Sequence, residues 1–321
     1  MSEAPLLDVR NLSVNFHTQD GIVRAIDGVS YNVNRGETIA LVGESGCGKT
    51  VSALSILRLI PDPPGKISGG EIFFDGVDLL ALPKNQMLNV RGDKIAMIFQ
   101  EPLTALDPVL TVGRQITEAL EQHRGMYGHV AQEEAIRLLK LVGIPQPDQR
   151  IKEYPHQFSG GMRQRAMIAL AISCEPQLII ADEPTTVVDV TIQAQLLELI
   201  RGITERLNTA LILITHNLGI VARYAHRVYV MYAGHIVEHG ASLDIYQHPY
   251  HPYTKGLLAS VPRLDEPRKT RLQPIEGQPP DLIQLPKGCA FKPRCSECTD
   301  SCSQSAPPLI EIAPGHYAAC P

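Results

Sequence analysis

The residues with the clearest chemistry are Gly43-Glu44-Ser45-Gly46-Cys47-Gly48-Lys49-Thr50, which read G-x-x-x-x-G-K-T. They follow an apolar strand pattern, Thr38-Ile39-Ala40-Leu41-Val42, and precede a stretch from Val51 to Ile60 that reads as a helix. Strand, glycine-rich loop and helix is the context in which this spacing binds phosphate. Glycines at 43, 46 and 48 let backbone N–H groups face one concavity without Cβ clashes. That concavity and the N-terminus of the next helix both favour an anion. Lys49 adds a full positive charge for β- and γ-phosphates, and the Thr50 hydroxyl is a ligand for Mg²⁺.

Three further apolar runs end on polar residues, where an α/β sheet presents its ligand contacts. Lys94 to Phe99 ends at Gln100, and Ala210 to Thr215 ends at His216. Leu178-Ile179-Ile180-Ala181 runs into Asp182 and Glu183. A buried strand needs no charge, so two acids at its end are placed for metal and water chemistry. Asp182 alone would serve equally as a helix cap; the phosphate loop in the same chain favours the functional reading. Phe16, in an early strand, is suited to stacking on a nucleobase, although packing is the commoner use of such a ring.

Cysteine is unevenly spread. Of seven, Cys47 and Cys174 stand alone, and Cys289, Cys295, Cys298, Cys302 and Cys320 fall in the last 33 residues. With no secretory signal at Met1-Ser2-Glu3-Ala4-Pro5, such a group reads as metal-binding rather than disulfide-forming. Four thiolates suit either Zn²⁺ or a [4Fe–4S] cluster.

These residues must be held by a framework, and composition bounds it. A chain of 321 residues, 44% hydrophobic and 20% charged, has the make-up of one large or two smaller globular domains. No apolar run approaches the roughly 18–20 residues of a membrane helix. A net charge of −5 gives no footprint for nucleic acid. Residues 7–35 alternate as short strands with turns at Gln19-Asp20-Gly21 and Asn34-Arg35-Gly36, an antiparallel sheet. Gly70 to Leu79 reads as a hairpin-like pair. Residues 101–175 carry helical spacing, notably over Val112–His123 and Glu133–Val142. Ile192–Leu207 reads as an amphipathic helix and Val228–Gly240 as a closing hairpin. Beyond about 245 prolines become frequent; one helix is expected at Tyr253–Ser260, and Arg263–Lys287 reads as a linker or extended arm.

In this order the motifs resemble the ATP-binding subunits of ABC transporters, over residues 7 to about 245. Gly43–Thr50 matches the Walker A loop and Gln100 the Q-loop glutamine. Ser159-Gly160-Gly161-Met162 matches the signature motif, with Met162 where many members have Gln. Leu178–Asp182 matches Walker B, Glu183 the glutamate after it, and His216 the switch histidine. Val187-Val188-Asp189 resembles the D-loop, departing at its first two positions. Phe16 falls where the family sets an aromatic against adenine. Ile98-Phe99-Gln100-Glu101-Pro102, Tyr154-Pro155-His156, Asp182–Thr186 and His251-Pro252-Tyr253-Thr254 are similar to the dipeptide/oligopeptide importer subfamily, which includes nickel importers.

The resemblance implies an α/β fold: a P-loop NTPase core with an antiparallel β subdomain and a helical subdomain at about 101–175. The ATPase domain would span 1–245, with a C-terminal arm and Cys-rich region at 246–321. It implies a dimer, homo- or heteromeric, with ATP held between one subunit's loop (Gly43, Ser45, Gly46, Gly48, Lys49, Thr50, Val51) and the partner subunit's signature loop. Thr50, Gln100 and Asp182 would serve Mg²⁺, Glu183 would be the general base, and His216 would contact the γ-phosphate. Two integral-membrane permease subunits, and indirectly an extracytoplasmic solute-binding protein, would complete an importer whose ATPase lies on the cytoplasmic face of the membrane. The tail is similar to those carrying a [4Fe–4S] cluster, with Cys289, Cys295, Cys302 and Cys320 as ligands, Cys298 outside the pattern and zinc as the alternative. A soluble ABC ATPase without a membrane partner, or an importer subunit for nickel or another small solute, stands beside the peptide reading.

Overall fold

Alternating apolar and polar residues form β1 (Leu7–Thr18) and β2 (Gly21–Val33), antiparallel in the computed structural model, with Leu7 opposite Val33 and Phe16 opposite Val23. The structure describes residues 4–185, 190–260 and 274–321. They group into two units: Met1–Asn34 with Thr38–Leu80 and Leu213–Pro321, and Arg35–Glu37 with Ala81–Ile212.

The first unit continues with β3 (Thr38–Val42), β4 (Gly65–Phe74) and β5 (Val77–Asp78). One sheet runs β2-β1-β4-β5. β3 is buried at all five positions, as a continuous apolar run in a parallel sheet requires. The helix after the phosphate loop is shorter than expected, Lys49–Ile56, because Arg58 takes a positive φ of 51° and turns the chain.

The second unit begins its core with β6 (Ile95–Ile98), parallel to β7 (Leu178–Asp182) and in register from Ile95 opposite Leu178 to Ile98 opposite Ala181. Between them lie the helices Val112–Arg124, Gly128–Leu141 and Gly160–Ile172, matching the helical segment expected at 101–175. Thr111 caps the first by accepting the Arg114 N–H at 3.2 Å, and Gly125 ends it in the left-handed region. The helix Val190–Leu207 follows. Val187-Val188-Asp189 lies outside the described residues. The chain leaves this unit within β8 (Ala210–Thr215), buried throughout.

Back in the first unit, β9 (Arg227–Tyr232) pairs parallel with β3 and antiparallel with β10 (His235–Ala241). Two short strands unmarked in the sequence, β11 (Ile310–Ala313) and β12 (His316–Ala318), extend this sheet in the order β11-β12-β10-β9-β3. The expected Cys-rich C-terminal region does not stand out as a unit of its own among the described residues. The described residues after 245 belong to the unit that holds the phosphate loop, because their apolar side chains complete its core. Tyr253, Leu257 and Phe291 are buried with Val42, Val228 and Val230, and Ile275, Leu282 and Leu285 pack against them. The segment read as an extended arm is thus, where described, irregular but anchored. Among the described residues no helix is long and apolar enough to cross a membrane.

The tail is tied down by polar groups as well. Glu238 on β10 is fully buried and accepts from the Tyr250 and His251 N–H groups at 2.8 and 2.9 Å, with His316 Nε2 at 2.8 Å. His239 stacks between Tyr229 and Tyr317, at centroid distances of 4.9 and 4.6 Å. Burial, with the charge of Arg227 and then His316 nearby, lowers its pKa to about 4. His251 caps the helix Pro252–Ala259 by accepting the Tyr253 N–H at 3.1 Å. Burial first, then Lys255 and against the pull of Glu297, lowers it also to about 4. A protonated Nδ1 could not accept that bond.

Both rings bind fewer protons folded than unfolded between their ordinary value of 6.5 and about 4. Their contribution to stability is therefore complete above that window and lost as pH falls through it. Urea unfolding is expected to shift to lower midpoints between about pH 7 and 4.5, and His251→Asn, which keeps a capping acceptor, flattens that slope. An unchanged slope in the variant would remove His251 from the account.

Candidate functional site

In the first unit the phosphate loop leaves β3 and closes on Lys49. The Lys49 ammonium is buried and donates to the Gly43 and Glu44 carbonyls at 2.8 and 2.9 Å, and lies 3.8 Å from the Cys47 sulfur. Two carbonyls satisfy a charge that burial would otherwise penalise heavily. The loop is curled around its own cation, and Gly48 shows why glycine is needed there. It has φ +107°, and a Cβ on it would lie 2.6 Å from the Ala25 carbonyl. Ser45, Gly46 and Thr50 are exposed and Val51 is half-buried. Burial raises the pKa of the Cys47 thiol against the lowering pull of Lys49, which makes it a packing residue rather than a nucleophile. Phe16 is half-buried, opposite Gly65 on β4, whose missing Cβ leaves room for the ring. His216, just past β8, is exposed.

In the second unit, Gln100 and Glu183 meet. Gln100 Nε2 donates to Glu183 Oε2 at 3.1 Å, so the ends of β6 and β7 present an amide and a carboxylate side by side. Asp182, the last residue of β7, is 2% exposed. Glu183 takes a positive φ of 42° as the chain leaves β7, a conformation uncommon for this residue type. Ser159 caps the helix Gly160–Ile172 by accepting the Met162 N–H at 3.3 Å. Among the described residues no atom stands within 4 Å of a Cβ placed on Gly160, and Gly161 has only Ile192 near, so that helix N-terminus keeps an open glycine face there.

The cysteine set is a different case. Gly288, at φ +82°, brings the chain against the Cys302 carbonyl, which a Cβ would strike, and Cys289 N–H donates to the same carbonyl at 2.8 Å. Burial, then the neighbouring Cys295, Cys302 and Cys289, raises the Cys320 pKa to about 11. Cys289 and Cys295 are also raised, by burial first. Cys302 is lowered, because the Thr299 hydroxyl, 3.4 Å from its sulfur, and then the Thr299 amide favour the thiolate. The thiols are near enough to sense one another. Yet all are free, and among the described residues no three His, Cys, Asp or Glu side chains are set as metal ligands. The expected ligand set of Cys289, Cys295, Cys302 and Cys320 is therefore not assembled among the described residues, although a backbone bond joins 289 to 302 and Lys292 links 289 to 295.

One pair of residues was missed from sequence. Tyr253 accepts the Glu44 N–H at 2.8 Å, and Arg294 forks onto the Glu44 carboxylate at 2.6 and 2.9 Å. No local pattern announces either, since each partner lies more than 200 positions from Glu44.

Residues 26–186 match the family model described as ABC transporter. The chain belongs to the ABC transporter ATP-binding proteins. Within them it is of the oligopeptide/dipeptide type: residues 237–302 match the model for the oligopeptide/dipeptide transporter C-terminal region. It is 51% identical to a probable peptide ABC transporter ATP-binding protein of Sinorhizobium fredii, covering 98% of this chain and 94% of that one. It is 50% identical to the oligopeptide transport ATP-binding protein OppD of Bacillus subtilis, over 97% and 87% of the two chains, and 47% identical to OppD of Escherichia coli, over 98% and 92%. Among solved structures it resembles a dimeric ATP-binding cassette in a post-hydrolysis state bound to ADP and phosphate, with a TM-score of 0.66 and 26% identity over 74% of this chain and 98% of that one. In an ABC ATPase the buried Lys49 and the glycine-lined loop fit a nucleotide's phosphates.

Gly48→Ala is expected to weaken ATP binding by about tenfold or more, since a side chain at such a φ costs about 1–3 kcal/mol before the Ala25 contact is counted. Equilibrium binding with a fluorescent ATP analogue measures this, and far-UV circular dichroism checks that the fold persists.

Proposed function

We propose that this chain is the ATP-hydrolysing subunit of an importer for di- or oligopeptides, peripheral on the cytoplasmic face of the membrane. One observation carries the coupling part of the reading. Gln100, which donates to Glu183, is followed directly by a segment with exposed apolar side chains, Leu103 at 62% and Val109 at 75% exposed. The residue that reads the catalytic carboxylate thus begins a surface suited to a membrane-embedded partner.

In this reading Glu183 polarises the attacking water, and Gln100 holds its carboxylate in place. Lys49 offsets charge on the transferring phosphoryl group. Thr50, Gln100 and Asp182 would hold Mg²⁺, which would supply positive charge against the phosphates. His216 contacts the γ-phosphate, and Phe16 stacks on adenine. Ser159, Gly160, Gly161 and Met162 offer a helix N-terminus to the γ-phosphate held by a second ATPase subunit. Hydrolysis then requires dimerisation, homo- or heteromeric, and closure of the dimer is passed to two permease subunits supplied by a solute-binding protein. The names of the relatives in Sinorhizobium and Bacillus support peptides over nickel. In this reading the motifs of the ATPase domain lie within 1–245, its helical subdomain at about 101–175, and the described residues after 245 pack onto the core that holds the phosphate loop.

The cysteine end is proposed to hold a thiolate-bound metal, a [4Fe–4S] cluster or zinc, on Cys289, Cys295, Cys302 and Cys320. The number and spacing of the cysteines carry this reading. Assembly of the set would require the side chains to draw together.

Glu183→Gln is expected to bind ATP and to lose hydrolysis by at least about a hundredfold. Turnover near wild type would remove the role of Glu183. Deleting the chain should abolish uptake of a labelled tripeptide; loss of nickel uptake alone would favour the alternative cargo. Protein purified without air should be brown, with iron and sulfide in equal amounts. A colourless protein with one zinc per chain would replace the cluster by zinc.

A further inference from the structure

Glu44, the second residue of the phosphate loop, has every polar group engaged. Its N–H donates to the Tyr253 hydroxyl at 2.8 Å, its carbonyl accepts from Lys49 at 2.9 Å, and its carboxylate takes the Arg294 fork at 2.6 and 2.9 Å. The Arg294 side chain is 3% exposed. It is framed by the Tyr232 and Phe291 rings, each 5.9 Å away, and its Nε donates to the Glu276 carbonyl at 3.0 Å. A guanidinium buried to this degree, between two rings and on a bidentate partner, is held in one geometry.

That geometry has a consequence for anion binding. A carboxylate in a phosphate loop lies within a Debye length of about 8–10 Å of the bound polyphosphate and repels it. Arg294 cancels that charge. Tyr253 fixes the direction of the Glu44 N–H, and through it the loop entry that carries the two carbonyls holding Lys49. We propose that Arg294 and Tyr253 are positioning residues for ATP binding: the C-terminal segment clamps the phosphate loop through Glu44, neutralising its carboxylate and fixing its peptide. The inference rests on the ATP-binding role of Gly43–Thr50. Neither residue touches nucleotide in this account. Both act through Glu44.

The test measures displacement of a fluorescent ATP analogue by ATP on the full-length chain, alongside thermal unfolding. Arg294→Gln is expected to weaken ATP by about tenfold, and Tyr253→Phe by about threefold. Adding Glu44→Gln to Arg294→Gln should recover most of the loss, because no carboxylate is left to neutralise; a purely structural role predicts no recovery. The proposal is overturned if both single variants bind ATP as the wild type does and only melt earlier, or if the double variant binds as weakly as Arg294→Gln. Should Arg294→Gln fail to fold, Tyr253→Phe and the double variant decide between the same outcomes. A wild-type chain that does not bind ATP would refute the nucleotide reading itself, a result distinct from either.

Discussion

A buried ammonium needs oxygen atoms around it, and in this chain that requirement shapes the phosphate loop. Lys49 turns inward onto the Gly43 and Glu44 carbonyls, so the loop must curl tightly enough to bring both within 2.9 Å. Curling is possible because Gly48 passes beside the Ala25 carbonyl with no Cβ. The loop can hold this shape only on a rigid base. β3, buried along its whole length beside β9, supplies one side of that base. The C-terminal chain supplies another, with Tyr253 and Phe291 in the same core as Val42. Burial of those rings is worth more than their contact area alone, since paired aromatics add about 0.5–1.5 kcal/mol each.

The second unit follows a different logic. Its catalytic candidates sit where two parallel strands end and the apolar pattern stops. Strand ends are the natural place for a carboxylate that must be stable yet reachable, because the sheet anchors the backbone while the side chain escapes the core. The Gln100 contact with Glu183 adds a neutral donor that holds one carboxylate oxygen in place. The backbone turns into positive φ at Glu183 as the chain leaves the strand.

Much of this was legible from residue types. The eight-residue loop, the carboxylates after Ala181 and the helical segment at 101–175 depend on local spacing, and local spacing is what sequence displays. The packing of the tail was not legible, for a physical reason. Frequent prolines mark the absence of regular hydrogen bonding, which says nothing about whether Ile275, Leu282 and Leu285 find a core to enter. The cysteines show the opposite limit: their number and type fit a metal, but the distance between side chains is a property of the folded chain.

The sequence by itself displayed the residue types of the loop, the order of the motifs and the resemblance to the ABC ATP-binding family, because each motif is a short run of neighbouring residues. Tertiary structure alone decided that Glu44 would answer to Tyr253 and Arg294, more than 200 positions away, and that Glu238 would be closed in by His316. Such pairs carry no periodicity and no fixed spacing. They exist because burial leaves a charge or an N–H with no water to turn to, and the nearest complementary group across the fold must take it.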